Sequence, residues 1–154
     1  MFLSLNIVCN MKIKKIDIIF QESEVEQVFQ KLISDWNELT DFYNKEVKFD
    51  YEDPSDRLAY IDIADISRFI VDKKKLGQTE NFETFFKNVE ELMIFGDDYV
   101  KNLIVVGLFE GIQNIGGSEI DYYKSFDKWL KTNSLKAWKN LIDSWEGLDW
   151  KKTN

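Results

Sequence analysis

A single proline, Pro54, and seven glycines are the only strong helix breakers in a chain of 154 residues. Long stretches without breakers favour helices over the turn-rich segments of a β fold. The apolar residues repeat accordingly. Val25, Val28, Phe29, Leu32, Ile33, Trp36 and Leu39 follow i, i+3, i+4, i+7 spacing, which predicts one helix over about 22–43. Ser23 is its expected cap, with Glu24 and Glu26 favourably placed in the first turn.

The longest break spans 44–57, where Pro54 and its flanking Asp residues supply turn chemistry. Asp62 and Asp65 then read as an N-cap and its N3 acid. The helix they open carries Ile63, Ile66, Phe69 and Ile70 and ends at Gly77, after three lysines. Thr79 is expected to cap the next helix, with Phe82, Phe85, Phe86, Val89, Leu92 and Met93 inward and Gly96 at its end. Asp97 or Asp98 opens a segment through Phe109 that is apolar on nearly every side, the expected most buried helix. A break at 114–118, a short helix near 121–129 and a last helix capped by Asn133 or Ser134 follow. Leu135, Trp138, Leu141, Ile142 and Trp145 share a face of that last helix. The expected fold is all-α: about six helices in antiparallel hairpins, as a compact bundle or a short α-solenoid. At most a minor β element is expected, at 13–20 or 47–51. Residues 1–10 read as an N-terminal extension, and 11–150 as one helical domain.

Composition removes whole classes of chemistry. With no histidine, Ser-His and Cys-His pairs, imidazole acid–base work and the usual zinc sites are excluded. One cysteine, Cys9, permits no intrachain disulfide. Gly116-Gly117 lacks the Lys-Ser/Thr of a P-loop. The formal net charge of −8 disfavours a nucleic-acid partner, and neither a signal peptide nor a membrane span is read. The expectation is a cytoplasmic protein that is not an enzyme and needs no metal or cofactor.

The apolar helix has two unusual features. Glu110 lies among apolar residues and needs a partner if buried, for which Arg68 is the candidate. Gly107 and Gly111, four apart, read as a site of close helix packing. The sequential acid pairs, Asp62/Asp65, Glu80/Glu83, Glu90/Glu91 and Asp97/Asp98, read as caps and solvated faces.

Charge is unevenly distributed. Residues 16–66 carry 14 acids against four bases, whereas 67–154 carry 14 against 13. The densest piece, Glu46 to Asp56, interleaves Val47, Phe49 and Tyr51 with acids. Such a segment suits docking to a basic protein surface, its charges steering encounter and its aromatics anchoring. The candidate partner-binding residues are Asp41, Glu46, Asp50, Tyr51, Glu52, Asp53 and Asp56.

Four segments in a recurring order add a resemblance: Phe85-Phe86-Lys87-Asn88-Val89-Glu90-Glu91-Leu92, Gly96-Asp97-Asp98-Tyr99-Val100-Lys101-Asn102-Leu103, Val105-Val106-Gly107-Leu108-Phe109-Glu110, and Trp138 through Gly147. Over roughly 58–147 the chain resembles a family of small helical bacterial proteins that are similar to immunity proteins. Those are cytoplasmic antidotes encoded beside polymorphic or contact-dependent toxins. The resemblance implies a cognate toxin domain as partner, with a basic nuclease expected from the acidic charge, and carries over no catalytic residue. A helical adaptor with an apolar peptide groove and a carboxylate-based enzyme or ligand-binding protein are the competing expectations.

Overall fold

A computed structural model describes residues 17–48, 51–53 and 57–147. Within them the chain forms six helices. Helix α1 is Val25–Ile33, entered through a 3₁₀ turn at Glu22–Glu24. Helix α2 begins at Asn37–Phe42 and runs on as a π-helical turn, Tyr43–Val47. Helix α3 is Ala59–Lys75 and α4 is Phe82–Phe95. Helix α5 spans 98–116 as Asp98–Asn102, a π-helical Leu103–Phe109 and Glu110–Gly116. Helix α6 is Thr132–Glu146. The expected all-α bundle is what forms: α5 packs along α3, α1 lies on α4, and α6 closes over α4 and α5. Among the described residues, the expected minor β element is one parallel bridge between Phe20 and Gly96. Residues 1–10 lie outside the described residues.

The apolar helix is the structural centre. Leu103, Ile104, Leu108, Phe109 and Ile112 are fully buried. Gly107 and Gly111 mark its closest approach to α3. A Cβ on Gly107 would lie 2.6 Å from Ile63 Cγ2, and one on Gly111 2.6 Å from Ser67 Oγ. Ser67 Oγ in turn donates across the contact to the Leu108 carbonyl at 3.0 Å. The glycines therefore serve intramolecular packing. Around α4 the bundle fills with aromatics: Phe82 meets Trp129 at 4.9 Å between centroids, and Phe126 meets Trp138 at 4.9 Å.

Several boundaries differ from expectation. The helix over 22–43 is two helices, because Asp35 adopts a left-handed φ of 63° and Ser34 leaves the helix. Long-range bonds fix that break: Thr40 Oγ1 donates to the Ile33 carbonyl, and Asn88 Nδ2 to that of Ser34. The break expected from residue 44 starts later, since α2 continues to Val47. Asp62 and Asp65 do not cap α3, which begins three residues earlier. Asn81, not Thr79, precedes α4. Asp97 does cap α5, accepting from Val100 N at 2.9 Å. Residues 122–129 form consecutive turns rather than a helix. Their carbonyls are claimed elsewhere: Trp138 Nε1 donates to the Tyr122 carbonyl at 2.7 Å, and Lys139 Nζ to that of Tyr123. Trp145 is 46% exposed, off the apolar face predicted for it.

Glu90 is no solvated acid. It is 8% exposed and caps the start of α6 from α4. It accepts from Ser134 N at 2.7 Å, Asn133 N at 3.1 Å and Asn133 Nδ2 at 2.8 Å. Burial pushes its carboxyl up, but these hydrogen bonds outweigh burial and hold it below the ordinary range. A carboxyl lowered on folding contributes stability that is complete above the unfolded-state value of about 4.3 and is lost as pH falls through the folded value. Glu90→Ala should cost about 2–3 kcal/mol at neutral pH, the cost of leaving two backbone donors unmet near a buried helix end. Urea titrations across the acid range check both points. The variant should lose less stability than wild type as pH falls, and parallel acid limbs would refute the cap.

Candidate functional site

The first turn of α1 places Glu26, Phe29 and Gln30 on one face at i, i+3, i+4 spacing. That face meets the end of α2 and the residues leading into α3. Arg57, just before α3, lies across it with its Cζ 3.9 Å from the Phe29 ring centroid and 5.6 Å from that of Tyr43. Its side chain is 8% exposed. Arg57 Nη1 bonds Glu26 Oε2, and its Nε lies 3.2 Å from Asp62 Oδ2. Stacking on a ring and pairing with two carboxylates is how a guanidinium tolerates burial.

Glu26 gathers the cluster. Besides Arg57 it accepts from Gln30 Nε2 at 2.9 Å, Lys48 Nζ at 3.0 Å and Tyr43 OH at 2.8 Å. Burial raises its carboxyl, and the four donors more than reverse this, leaving it below the ordinary value. Asp62 goes the other way. Its burial outweighs the Tyr51 hydrogen bond and the Arg57 charge, so its carboxyl is raised. The Tyr43 hydroxyl is pushed far up by burial and by Glu26. Beside the cluster opens a cleft of about 310 Å³, lined by Ser23, Glu24, Val25, Lys48, Tyr51 and Arg57 as well as Glu26.

The predicted binding residues divide. Asp41 and Glu46 are exposed on α2, and Glu52 and Asp53 are exposed in the loop after it. Among the described residues, Asp41, Glu46 and Glu52 have no ion pair. Glu46 also borders a shallow groove with Phe42, Asp65, Arg68, Phe69 and Asp72. Tyr51 is not an outward anchor. Its hydroxyl donates to Asp62 Oδ1 at 2.9 Å and accepts from Leu58 N at 3.1 Å. Asp50 and Asp56 lie outside the described residues.

Arg68 pairs with Asp65 at 3.1 Å rather than with Glu110, which is half-exposed and needs no buried partner. Glu26, Tyr43, Lys48, Arg57 and Asp62 were not singled out as a site by sequence reasoning. The available signal was Arg57 itself, the only arginine among the fourteen acids of residues 16–66. Exposed apolar side chains lie close by in sequence: Leu58 at 55% and Ile61 at 60%. Among the described residues, no group of three or more Cys, Asp or Glu is arranged to hold a metal ion. No helix there is long and apolar enough to cross a membrane.

Residues 25–146 match the domain of unknown function DUF7674, and the chain belongs to that family. No curated protein and no solved structure matches it.

Proposed function

We propose that this DUF7674 protein is a cytoplasmic immunity protein, a non-enzymatic antidote that binds a cognate bacterial toxin domain and blocks it. The observation that carries this reading is a set of exposed carboxylates on and after α2, Asp41, Glu46 and Glu52, that have no ion pair among the described residues. Surface carboxylates cost nothing in water, and Asp41, Glu46 and Glu52 outnumber the exposed Lys45 and Lys48 of the same stretch, leaving it net negative toward an approaching protein. A basic nuclease is the favoured target, because an acidic surface competes with its phosphate substrate. The exposed Leu58 and Ile61 supply apolar contact beside this field.

A tagged product of the adjacent gene tests the reading by co-purification at low and at high salt, with rescue of cells expressing that product. A complex that rescues growth and weakens with salt supports immunity. A folded pair that neither associates nor rescues removes it. The helical adaptor reading draws on the same exposed Leu58 and Ile61 and on Val106, 43% exposed. It differs in predicting binding that salt leaves nearly unchanged.

A further inference from the structure

The groove between α2 and α3 combines two aromatic rings with three carboxylates and one guanidinium. Phe42, Phe69, Glu46, Asp65, Asp72 and Arg68 line about 250 Å³. That is below the roughly 300–1,000 Å³ of a small-molecule pocket, a size for one side chain rather than a whole ligand. Phe42 and Phe69 are partly buried and meet at 4.9 Å between centroids. Lys73 Nζ lies 5.4 Å from the Phe69 centroid, and among the described residues no cation lies over Phe42.

The groove already holds a guanidinium of its own. Arg68 Nη1 donates to Asp65 Oδ1 at 3.1 Å, and the Arg68 side chain is 58% exposed. An exposed i, i+3 pair is weak and exchanges easily. Arg68 has a second carboxylate one turn on: Asp72 stands at i+4 and has no ion pair among the described residues. A swing to Asp72 would release Asp65. Three carboxylates against one guanidinium leave the lining net negative, so the complementary occupant is a cation. A guanidinium suits it better than an ammonium, because its plane stacks on a ring while its edge meets a carboxylate.

We propose that this groove receives an arginine side chain from the partner's basic surface. The incoming guanidinium replaces Arg68 at Asp65 and stacks on Phe42. Arg68 turns to Asp72, and Glu46 stays in water and draws the cation in. This deepens the immunity reading and rests on it for the partner's identity.

The test is an amide-shift titration of the full-length ¹⁵N-labelled chain with N-acetyl-arginine N-methylamide and with its uncharged isostere, N-acetyl-citrulline N-methylamide. Blocked arginine should give saturable shifts at Glu46, Asp65 and Asp72. Blocked citrulline should bind about tenfold more weakly, having lost the charge-assisted bond. Asp65→Asn should weaken the arginine response to a similar degree with helix content unchanged. Arg68→Ala should tighten it about two- to fivefold by removing the internal competitor. Lys45→Ala makes the same charge change next to Glu46 in sequence and should leave it nearly unchanged. Equal binding of the two probes, equal effects of Arg68→Ala and Lys45→Ala, or no saturable response would overturn the proposal. So would equal shifts at Glu22, Glu24 and Glu52, which would mean a general attraction to acids. The immunity reading fails separately. A co-purified complex whose affinity Asp65→Asn leaves unchanged keeps immunity and removes the groove from the interface. A chain that binds blocked arginine as described but neither associates with the toxin candidate nor rescues growth keeps the groove and removes immunity.

Discussion

Arg57→Ala should lower folding stability by about 3–5 kcal/mol, the cost of breaking a buried ion pair from one side. The substitution leaves Asp62, whose side chain is 4% exposed, without its cation, and uncovers the Phe29 ring. Glu26 contributes less, because its side chain is 40% exposed and water can take over its solvation. The penalty belongs to the orphaned charge rather than to lost attraction. Removing both partners while keeping volume should therefore recover most of it, so Arg57→Met with Asp62→Asn should fall within about 1–2 kcal/mol of wild type. Glu38→Ala is the surface control: it breaks a pair to Lys73 whose carboxylate is 60% exposed, and should cost under about 1 kcal/mol. Chemical denaturation midpoints of the four proteins decide the matter. Equal losses for Arg57→Ala and Glu38→Ala would show that Arg57 is no buried anchor.

What could be read in advance follows from the range of the forces involved. The central helix was legible because an apolar segment with Gly107 and Gly111 four apart allows one local solution, and Ile63 and Ser67 fill the space those glycines leave. Asp97 and Gly77 were legible for the same reason, each acting within a turn of itself. The break at Asp35 was not. Leu32, Ile33, Trp36 and Leu39 are all buried, so the periodicity runs through it. The bond that helps hold it comes from Asn88, 54 residues away. The turns at 122–129 were misread because Trp138 and Lys139 take carbonyls that a helix ladder would use.

The site shows the same division. Exposed acids announce themselves by number, so the exposure of Asp41, Glu46 and Glu52 was legible. The Glu26–Arg57 contact spans 31 residues, and no local pattern distinguishes an arginine stacked on Phe29 from one in water. Tyr51 was misjudged for this reason. Its neighbours in sequence are acidic, but its partner in space is Asp62, and the hydroxyl is spent inside the protein.

If the proposed immunity function holds, reversing Asp41, Glu46 and Glu52 together to lysine should slow association with the proposed toxin partner about 10- to 100-fold at low salt. Each reversal adds two units, so the formal net charge moves from −8 to −2. Long-range steering acts before contact and is screened beyond about 10 Å at 0.1 M salt. The wild-type rate should then fall steeply as salt rises, the variant rate should change little, and the two should converge at high salt. Dissociation should be nearly unaffected if these carboxylates steer without being desolvated. Stability should stay within about 0.5 kcal/mol, because none of the three belongs to the Arg57 cluster. Stopped-flow association at several ionic strengths separates the possibilities. An unchanged rate would place docking away from α2 and its following loop. A preserved association rate with a much faster dissociation would instead put these side chains in the desolvated centre of the interface, where they act as contacts rather than as a steering field.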